Sequence, residues 1–101
     1  MINGINSREM ILEILLEIEE GEHSHVAIRN ALSKYQFLPK QDRAFITRVC
    51  EGTLEYRIQI DYIINSFSKV TVDKMKPAIR EILRSAVYQL KYMDSVPDSA
   101  V

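Results

Sequence analysis

The sequence predicts an all-α fold of about five helices, and three observations carry that expectation. Met75, Ile79, Ile82, Leu83, Ala86, Val87, Leu90 and Met93 recur at steps of one, three and four, which draws a broad apolar stripe along one helix. Helix-boundary signals recur along the chain, among them Asn6 three residues before Glu9, then Gly21, Pro39 and Pro77. No alternating apolar runs flank a two-residue glycine turn, no segment repeats, and no Gly/Ser-rich linker divides the chain. Helices joined by short connections make a bundle.

Asn6 and Glu9 have the spacing of a capping box, in which each side chain satisfies the other residue's backbone N–H, and Ile5 and Met10 sit where a hydrophobic staple closes. Ile11, Leu12, Leu15, Leu16 and Ile18 make the inner face of this first helix, Glu13, Glu17 and Glu20 the outer one. Gly21 fits the position just past its end. Ser24 is placed to cap a second helix that turns Ala27, Ile28, Ala31, Leu32 and Tyr35 inward. That helix ends near Gln36, because Leu38 precedes a proline and avoids the helical region. Pro39 opens the next segment, where its missing N–H costs nothing.

The third segment is long. Phe45, Val49, Gly52, Tyr56, Ile60, Ile63 and Phe67 keep one face through to Ser68. A mid-helix glycine costs about 1 kcal/mol against alanine, so Gly52 predicts a close helix contact or a kink. The segment is either one bent helix or two that divide between Glu55 and Gln59. Connectors fall near 21–24, 36–39, 68–73 and beyond 93. The last helix runs from about Lys76 to Met93, with Asp73 a candidate cap. Its stripe is expected to sit centrally in the core, with Ile82, Leu83, Ala86, Val87 and Leu90 among the most buried residues. Its complementary face carries Lys76, Arg80, Glu81, Arg84, Ser85, Gln89 and Lys91.

A chain of 101 residues suits a single domain, 1–101, with one core. An apolar fraction of 47% beside 27% charged residues excludes a disordered chain. No run of about 18 apolar residues exists, so no membrane span is expected, and the N-terminus has no export signal. One cysteine, Cys50, leaves no intramolecular disulfide and points to a reducing cytoplasm. The net charge of −1 argues against strong non-specific binding to nucleic acid, yet the charge is unevenly spread. Glu9, Glu13, Glu17, Glu19, Glu20 and Glu22 crowd the first quarter, and between Arg29 and Lys91 the balance turns basic. A nucleic-acid face would therefore be local. Ser95-Val96-Pro97-Asp98 reads as a further helix start, so the sequence is expected to be the N-terminal part of a longer chain, lacking its C-terminal helices.

No catalytic constellation stands out. Cys50 lies between Val49 and Glu51 without a nearby histidine to activate it, and reads as a buried structural thiol. His23 and His25 supply two ligands where a structural zinc site needs four. Nothing brings Asp42 and Asp61 together as an acid pair, and the glycines are isolated rather than grouped in a phosphate loop. The basic residues are harder to dismiss. Lys34, Lys40 and Arg43 flank the turn into the third segment and Arg48 follows. Tyr35, Phe37, Tyr56 and Tyr92 stand among basic residues, which is the pairing that RNA contact needs.

Six pieces in register carry a family resemblance: Asp42-Arg43-Ala44-Phe45, Glu51-Gly52-Thr53-Leu54, Ile60-Asp61, Ile82-Leu83-Arg84, Tyr88-Gln89-Leu90-Lys91-Tyr92 and Val96-Pro97-Asp98-Ser99-Ala100-Val101. From about Asn6 to the last residue, the chain resembles the NusB-like domain. The resemblance implies an all-helical fold of two small bundles, found in two settings. One is the free-standing NusB antitermination factor, which binds a short RNA element together with a ribosomal protein. The other is the N-terminal domain of Sun/Fmu-type (RsmB) methyltransferases, which act on a cytosine C5 of small-subunit rRNA. Free-standing members usually carry an arginine-rich N-terminus; this chain has Arg8 alone there, and its Gly52-Thr53-Leu54, Tyr88-Gln89-Leu90 and His23-Ser24-His25-Val26-Ala27 segments look more like the methyltransferase-linked form. In that form the catalytic cysteine and the S-adenosylmethionine site lie downstream. The resemblance thus implies no catalytic, metal or cofactor residue in this stretch.

The expectations are then specific. The leading reading is an RNA-binding accessory domain that helps an rRNA methyltransferase recognise its substrate. The alternatives are a NusB-type antitermination factor and a helical interaction domain without RNA affinity. Arg8, Lys40, Arg43 and Arg48 are the expected RNA contacts. Asp61 and Arg84, each beside strongly apolar neighbours, are expected to be structural. Expected partners are rRNA, a downstream methyltransferase domain, and a second copy paired through the uncovered stripe of the last helix.

Overall fold

The computed structural model describes residues 6–93, which form α1 (Ser7–Glu19), α2 (Ser24–Lys34), α3 (Lys40–Glu55), α4 (Arg57–Phe67) and α5 (Pro77–Tyr92), with one 3-10 turn at Val72–Lys74. Among the described residues there is no β-strand, and no helix is long and apolar enough to cross a membrane. Ile5 and the 95–98 helix start lie outside the described residues. The chain divides into two compact units, the first ending at Glu51 and the second beginning at Gly52. The boundary falls inside α3.

In the first unit α1 packs on α2. Asn6 is extended and its Oδ1 accepts the Glu9 N–H at 2.8 Å; Glu9 Oε1 takes the Asn6 side-chain amide at 3.3 Å. The C-terminus of α1 closes in a Schellman motif. Gly21 sits at φ +113°, with Gly21 N–H donating to Ile18 O at 3.0 Å and Glu22 N–H to Glu17 O at 3.1 Å. The inner face is Met10, Ile11, Ile14 and Leu15, while Leu12, Leu16 and Ile18 are half-buried. At α2 it is His23 that occupies the cap, its carbonyl accepting from Val26 and Ala27; Ser24 is already helical and makes no cap bond.

In the second unit the long segment divides at Tyr56, inside the interval the sequence allows. Tyr56 N–H donates to Gly52 O at 3.0 Å and so ends α3, and Tyr56 O accepts from Ile60 at 2.9 Å and so begins α4. Gly52 marks a close contact: a Cβ at that position would overlap the ring of Tyr88. Packing of α4 extends to α5 and to the 3-10 turn. Asn65 Oδ1 accepts from Val72 N–H at 2.9 Å, and Arg80 donates to the carbonyls of Val72 (3.2 Å) and Met75 (3.1 Å). Pro77 occupies the first helical position of α5, so Asp73 does not cap that helix. Its carboxylate accepts from the Thr71 hydroxyl, which holds it below the usual range.

The burial expected for α5 is corrected by the structure. Its buried residues are Glu81, Arg84, Tyr88 and Gln89. Ile82 and Leu90 are 49% and 62% exposed, and Leu83, Ala86 and Val87 are half-buried. The helix presents to the interior a face built from an ion cluster and a tyrosine, and leaves the aliphatic stripe outward. Apolar periodicity locates a stripe but not the neighbour that covers it.

Candidate nucleic-acid interface

The expected RNA contacts all lie in the first unit, and the structure gives them different duties. Arg8 is exposed on the first turn of α1. Lys40 is exposed at the first residue of α3, and Arg48 is exposed two turns later. Eight residues of helix separate these two by about 12 Å of rise and about 80° of rotation, so one curved phosphate backbone can reach both.

Arg43 behaves otherwise. Its NH1 donates to Leu32 O at 3.0 Å and Tyr35 O at 3.2 Å, closing the last turn of α2, and the side chain is half-buried. Tyr35 O also accepts from Leu38 N–H at 3.1 Å, and a cation at this helix end meets the negative end of the helix dipole. Arg43 is thus held internally through NH1, whereas Lys40 is exposed. The position of Arg43 near a helix start concealed that its acceptors come from the preceding helix.

Asp61 and Arg84 are brought together in the second unit. Arg84 Nε and NH2 reach Asp61 Oδ1 and Oδ2 at 2.8 and 2.9 Å, and Arg84 NH1 reaches Glu81 Oε2 at 2.7 Å. Burial pulls the Arg84 pKa down; the hydrogen bonds and charges of Asp61 and Glu81 outweigh it and hold the guanidinium above its ordinary value. Glu81 was missed by the sequence reading, although its place three residues before Arg84 is ion-pair spacing on a helix. Also missed was the grouping of three tyrosines. Tyr56 stacks on Tyr92 with centroids 4.3 Å apart and planes 11° from parallel, and Tyr88 lies 5.6 Å from Tyr92. Tyr88 and Tyr92, one turn apart, gave the signal.

The remaining candidates are structural or dispersed. Cys50 is buried, and its thiol is pushed up to about 12 by burial and by neighbouring Glu51, which leaves it a poor nucleophile. His23 and His25 stack on each other at 6.0 Å. Among the described residues no three His, Cys, Asp or Glu side chains gather where a metal ion could sit.

Residues 5–101 match the model of the NusB family. The chain belongs to the NusB family. It is 30% identical over 93 residues to a probable ribosomal RNA small subunit methyltransferase B of Bacillus subtilis, an alignment that covers 92% of this chain and 21% of that protein. With the corresponding protein of Synechocystis it shares 33% identity over 97 residues, covering 95% and 22%. A transcription antitermination protein NusB of Listeria monocytogenes is 31% identical over 94 residues, covering 91% and 69%. The chain thus spans about a fifth of the methyltransferase-named relatives and about two thirds of the antitermination-named ones. No solved structure matches significantly.

Proposed function

We propose that this chain is the RNA-recognition part of a small-subunit rRNA methyltransferase, using exposed basic side chains of its first unit to hold the RNA backbone. The observation that carries the reading is the similarity of nearly the whole chain to a fifth of two proteins named as such methyltransferases. The exposure of Arg8, Lys40 and Arg48 supports it, since phosphate contact needs cations in solvent. In this reading S-adenosylmethionine and the cytosine-C5 chemistry belong to a different domain of the longer protein, and these residues contribute affinity and placement. Binding is weak and salt-sensitive, because three phosphate contacts release only a few counterions.

A second reading, a NusB-type antitermination factor, is favoured by the larger share of the relatives' length that this chain spans, 66–69%. It calls for RNA binding that tightens when a ribosomal protein is added.

The test is a titration of small-subunit rRNA fragments at several salt concentrations against the wild-type chain and a Lys40→Gln/Arg48→Gln double variant. The double variant is expected to bind more weakly, with a salt slope shallower by about two, one unit for each lost phosphate contact. No binding by the wild type at low salt leaves only the helical interaction domain. An unaltered slope excludes these two contacts.

A further inference from the structure

The turn between α2 and α3 carries an aromatic ring, Phe37, that is 49% exposed. A single exposed apolar side chain is ordinary on a protein surface. What sets Phe37 apart is how firmly the backbone around it is held. Leu38 N–H donates to Tyr35 O at 3.1 Å, which closes the turn with Gln36 and Phe37 at its corners. Arg43 NH1 grips the start of that turn through the same Tyr35 carbonyl at 3.2 Å and through Leu32 O at 3.0 Å. Pro39 has a fixed φ just past it. The Tyr35 and Phe37 rings meet edge to face, with centroids 6.0 Å apart and planes 87° from parallel. Phe37 is thus presented to solvent in a set position, without the ordering cost that a loose loop has on binding.

The charge along this part of the chain has one sign. From His23 to Gln41 there is no aspartate or glutamate, while Arg29, Lys34 and Lys40 are exposed. Lys34 and Tyr35 also line a small cleft with Glu13 and Glu17 of α1, whose charges offset that of Lys34. Lys40, three residues after Phe37, is the cation left for an anion beside the ring.

From this we infer that Phe37 is a stacking platform for an unpaired base of single-stranded RNA, with Lys40 on an adjoining phosphate. A nucleotide joins a flat π-face to an anion, and the turn sets a ring beside a cation. A surface that binds phosphate alone has no use for the ring. Bases within a duplex stay stacked on one another, so the platform selects unpaired RNA. The inference rests on the RNA-binding reading above and adds to it the strandedness of the RNA and the side chain that meets the base.

The probes are a single-stranded oligoadenylate of about 12 nucleotides, within the span of single-strand sites, its duplex with oligouridylate, and an abasic strand of equal length. Phe37→Ala in the 101-residue chain is expected to weaken single-strand binding about 5-fold or more, the share of one stacked base. Its melting temperature and salt slope should not change, because the residue is exposed and no charge is lost. Its binding of the duplex and the abasic strand should equal that of the wild type. The sequence holds no tryptophan, so Phe37→Trp provides a single emitter that the single strand should quench and the abasic strand should not. Unchanged single-strand affinity of Phe37→Ala, an equal loss against all three probes, or no quenching in Phe37→Trp overturns the inference. If Lys40→Gln/Arg48→Gln flattens the salt slope while Phe37→Ala changes nothing, the phosphate reading stands and the platform falls. A wild-type chain that binds no RNA sinks both.

Discussion

Among the described residues, the two units bury different chemistry. In the first, each buried residue is apolar: Met10, Ile11, Ile14, Leu15, Ala27, Ile28, Ile46, Val49 and Cys50. In the second, Ile60, Ile64, Val72 and Met93 share the interior with Thr53, Glu81, Arg84 and Gln89. Each unit also employs an arginine internally. Arg43 donates to carbonyls that end a helix, and Arg84 donates to two carboxylates on two helices. The difference matters because aliphatic burial is roughly proportional to area and tolerates repacking, whereas a buried cation is stable only with its partners in place. The first unit should degrade gradually under substitution and the second abruptly.

The sharpest way to break that contrast is at Arg84. Arg84→Met leaves Asp61 and Glu81 facing each other without a cation and is expected to cost about 3–5 kcal/mol in chemical denaturation. Adding Asp61→Asn and Glu81→Leu to it should recover much of the loss, since apolar replacement of a whole buried ion cluster is often neutral. An Arg84→Met variant as stable as wild type removes the distinction between the units.

The next effect belongs to the first unit and depends on pH. Cys50 keeps its proton to about 12 when folded, against 9.0 for an ordinary thiol. A folded pKa above the unfolded one stabilises fully below the unfolded value and is lost as pH rises. Stability is therefore expected to decline from pH 9 towards 12 by at most about 1.4 kcal/mol per unit through this group. Cys50→Ala should flatten that part of the profile, read as the difference between the two proteins so that tyrosine titration cancels.

Two glycines then separate packing from backbone geometry. Gly52→Ala drives a methyl group into the Tyr88 ring, which is held among stacked tyrosines, and is expected to cost about 1–3 kcal/mol. Gly21→Ala has open space around its new Cβ and is strained only through φ +113°, for about 1 kcal/mol. Trimming Tyr88 to Leu should relieve the first substitution in part; no change made elsewhere in the interior should relieve the second.

What the sequence made legible was local. The Asn6–Glu9 cap, the Gly21 stop and the Tyr56 division each depend on residues within a few positions of one another, and all stand in the structure. The close approach at Gly52 was legible too, though not its partner Tyr88, which lies on a later helix. The orientation of α5 was not, since it is decided by Asp61, 23 residues before Arg84. The acceptors of Arg43 were hidden for the same reason: they lie 11 and 8 residues upstream. Asp61 and Arg84 were legible as structural residues from their apolar neighbours, but not the helix face that their pairing turns inward.

That distinction between a tied and a free cation is the central claim for the interface, and Arg43 and Lys40, neighbours on α3, test it side by side. Arg43→Gln is expected to lower stability by about 1 kcal/mol through its lost carbonyl bonds and to leave the salt dependence of RNA binding unchanged. Lys40→Gln, at an exposed position, is expected to leave stability within about 0.5 kcal/mol and to make the salt slope shallower by about one. Measuring both quantities for both variants against the same rRNA fragment is decisive. If Arg43→Gln flattens the slope while Lys40→Gln does not, the assignment of the two residues is wrong.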